Sequence, residues 1–216
     1  SSAASDVYKR QVFMNRGLPR YSGRVEVSGG TLGANATVYR DSRGVAHIEA
    51  ATESDALFVL GYVHAQERLF QMTLTLRVAK GRLTEIVPDA SVDPGMLGHK
   101  SLLAQDRFNR VVGFAMLGEN GLETIDAESR GLLESYAAGI NEYVRRTNKL
   151  PPEFMLLGLQ PERWTPADSL ALGRFIGWGL STNMRHELVR IAAIGELGLE
   201  RGWEFLPRYP DCGPYI

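Results

Sequence analysis

Between Thr52 and Ala79 no proline interrupts the chain, and Leu69, Met72, Leu76 and Ala79 recur at steps of three and four. That is the period of a helix with one buried face. Thr52 with Asp55 offers a capping box at the front. At the far end Lys80 sits favourably beside the last carbonyls and Gly81 supplies the stop. In the first half, residues 56–60 (A-L-F-V-L) are apolar on nearly every side, which predicts deep burial. One long helix of this kind commits the chain to a mainly helical fold.

Two further helices follow from the same signals. One spans residues 126–146, with Leu132, Leu133, Tyr136, Ile140 and Tyr143 inward. The other starts sharply at Thr165-Pro166-Ala167-Asp168, an N-cap hydroxyl followed by a first-turn proline and a carboxylate at the third position. It is expected to reach about Glu196, with a break near Gly177 or Gly179. Upstream, residues 24–28, 36–39 and 45–48 read as short strands. A Gly/Asn-rich turn at 29–35 and the tight turn Asp41-Ser42-Arg43-Gly44 separate them. Residues 87–100 are rich in Pro, Gly and Asp and read as loop. The expected class is α+β, mainly helical, with a short β portion near the start.

Composition removes several functions. The 216 residues carry 24 Lys+Arg against 25 Asp+Glu, a net charge of −1, without the basic excess of a nucleic-acid binder. No apolar run approaches the ~18 residues of a membrane span. The single cysteine, Cys212, excludes an intrachain disulfide framework and a Cys-rich zinc module. It has no nearby base and reads as a free thiol. Residues 1–11 lack the basic-then-apolar order of a signal peptide, so a targeting segment is either absent or removed. Residues 206–216, with three prolines, read as an extended tail.

His47 falls on a strand and His64 on a helix, with no second histidine at ligand spacing, so both read as packed structural residues rather than zinc ligands. His186 adjoins Glu187, but helical neighbours point apart and form no acid–base dyad. Arg40-Asp41, Glu67-Arg68 and Arg82 with Glu85 have the spacing of turns, helix pairs and caps. They read as architecture holding helix to strand. Taken alone, these patterns allow an enzyme part or a non-catalytic helical binding module.

Three stretches narrow the choice. The first joins V-Y-R-D-S-R-G-V-A-H-I-E-A (38–50) to G-Y-V-H-A-Q-E-R-L-F-Q-M (61–72). The second is G-R-L-T-E (81–85). The third combines L-P-P-E-F (150–154) with L-G-L-Q-P-E-R-W-T-P-A-D (157–168). In this order and spacing they resemble the α chain of the penicillin acylase family, over roughly residues 18–187.

The resemblance implies an N-terminal-nucleophile hydrolase made as one precursor. Self-cleavage removes a spacer and leaves a smaller α chain and a larger β chain in one four-layer αββα core, an obligate heterodimer. The nucleophile is then the first residue of the β chain, usually Ser, and no residue of this chain is a catalytic candidate. Ser1 opens S-S-A-A-S-D, unlike the family's β-chain start, and reads as a frayed terminus. Residues 1–20 become an N-terminal extension, 21–205 the α-chain part of the domain, and 206–216 a tail at the processing site. The implied substrate is a small-molecule amide, the side-chain amide of β-lactam antibiotics first. N-acyl homoserine lactones or lipopeptides are the alternative. A periplasmic or secreted location and a link to antibiotic resistance come with the family.

The penicillin G branch places a calcium-binding Glu nineteen residues after the matched Asp168, and Glu187 stands there. The resemblance therefore implies one structural calcium shared with the β chain. Calcium takes ~6–8 oxygens, so the β chain must supply most of them. The same register puts Gly177, Leu180 and Ser181 at acyl-pocket positions where the branch has Met, Arg and Phe. A wider, less polar pocket is expected, or, if the helix slips, one lined by Trp178, Thr182 or Asn183.

Overall fold

The computed structural model describes residues 18, 21–26, 32–89, 101–181 and 184–204. The chain divides into two compact units, Ser1–Arg174 and Phe175–Ile216. In the first, β1 (Thr37–Arg40) and β2 (Ala46–Glu49) form an antiparallel hairpin with Tyr39 opposite His47. Asp41 builds its turn: Oδ1 accepts from the backbone N–H of Arg43 at 2.8 Å and of Val45 at 3.0 Å. Gly44 takes φ +81°, a conformation only glycine adopts without strain.

The long helix α1 (Glu53–Ala79) follows. Asp55 N–H donates to Thr52 Oγ1 at 3.1 Å, the Thr52 hydroxyl in turn donates to Asp55 Oδ2 at 2.9 Å, and buried Asp55 also accepts from Gly33 N–H at 2.8 Å. After a 3-10 turn at Leu83–Glu85 come α2 (Leu102–Val112), α3 (Phe114–Thr124) and α4 (Ala127–Arg146). A short α5 (Pro152–Leu156) leads to α6 (Pro166–Leu180).

The core is the seam of α1 against α4. Ala65, Leu69, Ala137, Ile140 and Tyr143 are buried there with Phe154, Leu159 and Trp164. Two glycines set the approach. A Cβ on Gly61 would overlap the Tyr136 carbonyl, and one on Gly139 would overlap that of Phe58, so each helix offers bare backbone to the other. Burial of residues 56–60 is shallower than expected: Phe58 is buried, whereas its four neighbours are half-exposed. Packing on one side covers one face only.

Charged pairs tie the remaining segments to this seam. Arg77 and Arg82 alternate with Glu85 and Glu162 in a closed ring of ion pairs at 2.5–3.0 Å. Lys80 meets Asp168 at 2.5 Å, joining the end of α1 to the start of α6. Asp106 is buried and accepts from the backbone N–H groups of Leu83 and Thr84 and from the Thr84 hydroxyl.

The sequence reading placed no element at α2 or α3. Its strand at 24–28 is not formed at 24–26, and residues 27–28 lie outside the described residues. The third helix breaks close to the expected place. It stops at Leu180, after both glycines, and α7 (Met184–Leu197) and α8 (Leu199–Glu204) form the described part of the second unit after it. Most of the 87–100 loop, the 206–216 tail, Ser1 and Cys212 lie outside the described residues.

Candidate functional site

Helix α6 begins on a reciprocal cap. Thr165 N–H donates to Asp168 Oδ2 at 2.8 Å, and Asp168 N–H to Thr165 Oγ1 at 3.3 Å. Trp164, buried just before it, donates from Nε1 to Ser169 Oγ, while Asn141 bonds both its backbone groups. The W-T-P-A-D stretch therefore anchors the helix that carries the predicted pocket residues.

Those residues occupy the last turn of α6 and lie open. Leu180 is 79% exposed and Trp178 36%. Among the described residues nothing lies within 4 Å of a Cβ added at Gly177 or Gly179. Ser181 closes the turn: its N–H donates to Gly177 O at 3.1 Å and to Trp178 O at 3.0 Å, and its hydroxyl donates to Gly177 O at 2.9 Å. That hydroxyl is engaged with backbone. Thr182 and Asn183, the fallback positions, lie outside the described residues.

Glu187 stands in the first turn of α7. Arg190 Nη1 donates to both its oxygens, at 2.7 and 2.9 Å. The Arg190 guanidinium also lies 4.7 Å above the Trp203 ring of α8, a cation–π distance. Among the described residues no group of three or more His, Cys, Asp or Glu gathers to hold a metal. A carboxylate is a donor that calcium accepts, but Glu187 is already paired with Arg190, and no further cluster of ligating side chains gathers with it among the described residues.

Several motif residues hold elements together. Arg40 reaches Glu67 at 2.5 Å and covers the Tyr21 ring, tying the hairpin to α1. His47 stacks on Tyr39 and lies 3.4 Å from Asp41. His64 Nδ1 lies 2.9 Å from Tyr136 OH. Burial pushes the His64 pKa down and the Tyr136 pKa up, so both stay neutral near pH 7. A cleft of about 560 Å³ beside α5, lined by Asn148, Leu150, Phe154, Met155 and Gln160 among others, includes none of the predicted residues. Sequence periodicity gave no sign of it, because residues 148–160 form a Pro-rich connection.

The family model for penicillin amidase matches residues 35–213, and the chain belongs to that family. It is 37% identical over 196 residues to a penicillin acylase 2 proenzyme of Pseudomonas sp. (strain SE83), covering 91% of this chain and 23% of that protein. It is 34% identical over 195 residues to the acyl-homoserine lactone acylase QuiP of Pseudomonas aeruginosa, covering 90% of this chain and 22% of that one. The chain thus spans under a quarter of the curated relatives it matches. Among solved structures, a thermostable penicillin G acylase from Alcaligenes faecalis superposes with a TM-score of 0.63 at 25% identity. The match covers 84% of this chain and 96% of that one.

Proposed function

We propose that this chain is the α subunit of a self-processing amide hydrolase that cleaves the side-chain amide of β-lactam antibiotics, with its nucleophile the N-terminal Ser of a separate β chain. One observation carries the reading. The chain spans 23% of a proenzyme yet covers 96% of one polypeptide in a solved penicillin G acylase, as one product of a cleaved precursor would. The exposed positions support it too. Ile176, Trp178, Leu180, Leu188, Val189 and Ile191 leave much apolar surface open, which a larger partner would cover. In this reading the α chain contributes pocket wall at Gly177, Trp178, Leu180 and Ser181 and a calcium ligand at Glu187. The β chain contributes the reacting hydroxyl, its base and the oxyanion donors.

N-terminal sequencing of the purified active protein tests this. Two polypeptides are expected, the larger beginning with Ser; activity from a single uncleaved polypeptide would overturn it. The likeness to QuiP, together with the small or aliphatic Gly177, Leu180 and Ser181, favours an acyl-homoserine lactone acylase as the second reading. Measuring kcat/KM for phenylacetyl amides beside N-acyl homoserine lactones of graded length separates the two.

A further inference from the structure

We propose that the cleft beside α5 binds an apolar carboxylic acid, its hydrocarbon tail on Phe154 and Met155 and its carboxylate at Lys149. None of these residues takes part in the proposed function.

Two turns build the cleft before any ligand arrives. Helix α5 ends on a Schellman turn: Leu159 N–H donates to Phe154 O at 2.7 Å and Gly158 N–H to Met155 O at 3.3 Å, with Gly158 at φ +63°. Phe154 and Leu159 are both buried members of the core cluster, so the core itself reaches the cleft. Phe154 is further held edge-on to Phe70, with ring centroids 5.6 Å apart. Just upstream, the Thr147 hydroxyl donates to Lys149 O at 3.0 Å and accepts from Lys149 N–H at 3.3 Å. Pro151 and Pro152 then fix φ at two successive residues. Walls tied in this way have little freedom left to lose on binding.

The lining decides the ligand. Leu150, Phe154, Met155 and Leu159 offer apolar surface. Met155 stands 58% exposed, an unbranched side chain that adapts to a flexible tail. A volume of about 560 Å³ lies within the range of small-molecule sites. Lys149 is the one charged residue of the lining, with Asn148 and Gln160 as further donors. Among the described residues no ion pair involves Lys149. One positive charge without a negative one selects an anion. A phosphate would bring about two charges to a single cation, whereas a carboxylate brings one. Acids of this kind are what hydrolysis of an acyl amide releases, so an enzyme with the proposed activity would make the ligand that this cleft holds.

The test uses the complete protein as expressed and a diazirine-bearing octanoic acid, with the photolabel mapped by mass spectrometry. Label is expected within residues 148–160, displaced by octanoate and hardly at all by octylammonium. Octanoate should compete about two- to fourfold better than heptanoate, as burial of one more methylene allows. Lys149 and Met155 are exposed, so substitutions there should leave the fold standing. Lys149→Glu reverses the charge and should cut labelling by about fivefold or more, the upper range of an exposed ion pair. Met155→Ala should shrink the gain from octanoate over heptanoate. Absence of label from 148–160, or label there that both variants leave unchanged, would overturn the inference. Label confined to residues 176–181 would overturn it too, while supporting the proposed acyl pocket. Label at 148–160 in a protein without amide hydrolase activity would keep the cleft and sink the proposed function instead.

Discussion

The α1–α4 seam and residues 176–180 are both helical and both rich in glycine, yet glycine does opposite things in them. At the seam Gly61 and Gly139 let backbone touch backbone. Near the end of α6, Gly177 and Gly179 face open space while Ile176 and Leu180 stand exposed beside them. A helix that spends glycine and gains no contact has lost conformational freedom for nothing inside its own chain. The seam is thus closed by described residues on both sides, whereas the end of α6 has no such cover among the described residues.

The largest effect should come from closing the seam. Gly139→Ala puts a methyl into the Phe58 carbonyl, and backbone cannot yield as a flexible side chain does. A loss of about 3 kcal/mol or more is expected, at the upper end of overpacking costs. Chemical denaturation measures it. A loss under about 1 kcal/mol would mean that α1 and α4 are not held this closely.

Next comes Asp106, which turns the chain back after α1. Asp106→Ala strands two backbone N–H groups and a hydroxyl in a buried place. Each unsatisfied buried donor costs about 1–3 kcal/mol before local relaxation, so about 3 kcal/mol in all is expected. Thermal unfolding should show a lower midpoint, with hydrogen exchange rising first at Leu83 and Thr84.

The same contrast explains what could be read in advance. Helices α1, α4 and α6 announced themselves because their inward faces are apolar and their caps are explicit. Helix α2 did not, because the residues it buries are Leu102, Gln105, Asp106 and Asn109. Helix α3 buries Phe114, Gly118 and Gly121. A polar or glycine face leaves no apolar period to find. The break expected near Gly177 or Gly179 falls at Ser181, whose hydroxyl bonds back to Gly177 O and competes with the next helical turn. The expected pocket and metal positions rest on family register alone. The Arg190 partner of Glu187 had no signal beyond an i,i+3 charge spacing.

A smaller effect concerns acid. Hydrogen bonds from Arg82, then the nearby Arg82 charge and Arg77, hold the Glu85 carboxyl below its ordinary 4.5. A carboxyl lowered on folding stabilises the fold above its unfolded pKa, and that contribution disappears as pH falls through the folded value. Stability should therefore decline from about pH 4.5 downward, and Glu85→Gln should flatten that decline slightly, since the group is well exposed. An unchanged slope would show that the Arg77–Glu162 arm holds the ring without Glu85.

The smallest expected stability change is also the one that bears most on function. Gly177→Ala adds a methyl where none of the described residues lies within 4 Å, and alanine prefers helix to glycine by up to about 1 kcal/mol. Near the helix end about half of that should remain, so in the complete protein the thermal midpoint should hold or rise by a degree or two. If Gly177 lines the acyl pocket, the same methyl takes space from the substrate. Losing room for one methylene is worth about 0.8 kcal/mol, roughly fourfold in kcat/KM when felt in the transition state. Long acyl groups should therefore lose about fourfold against short ones. A midpoint that falls by several degrees instead would show another polypeptide packed against Gly177 as tightly as Phe58 packs on Gly139. The end of α6 would then be a second seam, closed between chains, and the acyl group would be held elsewhere.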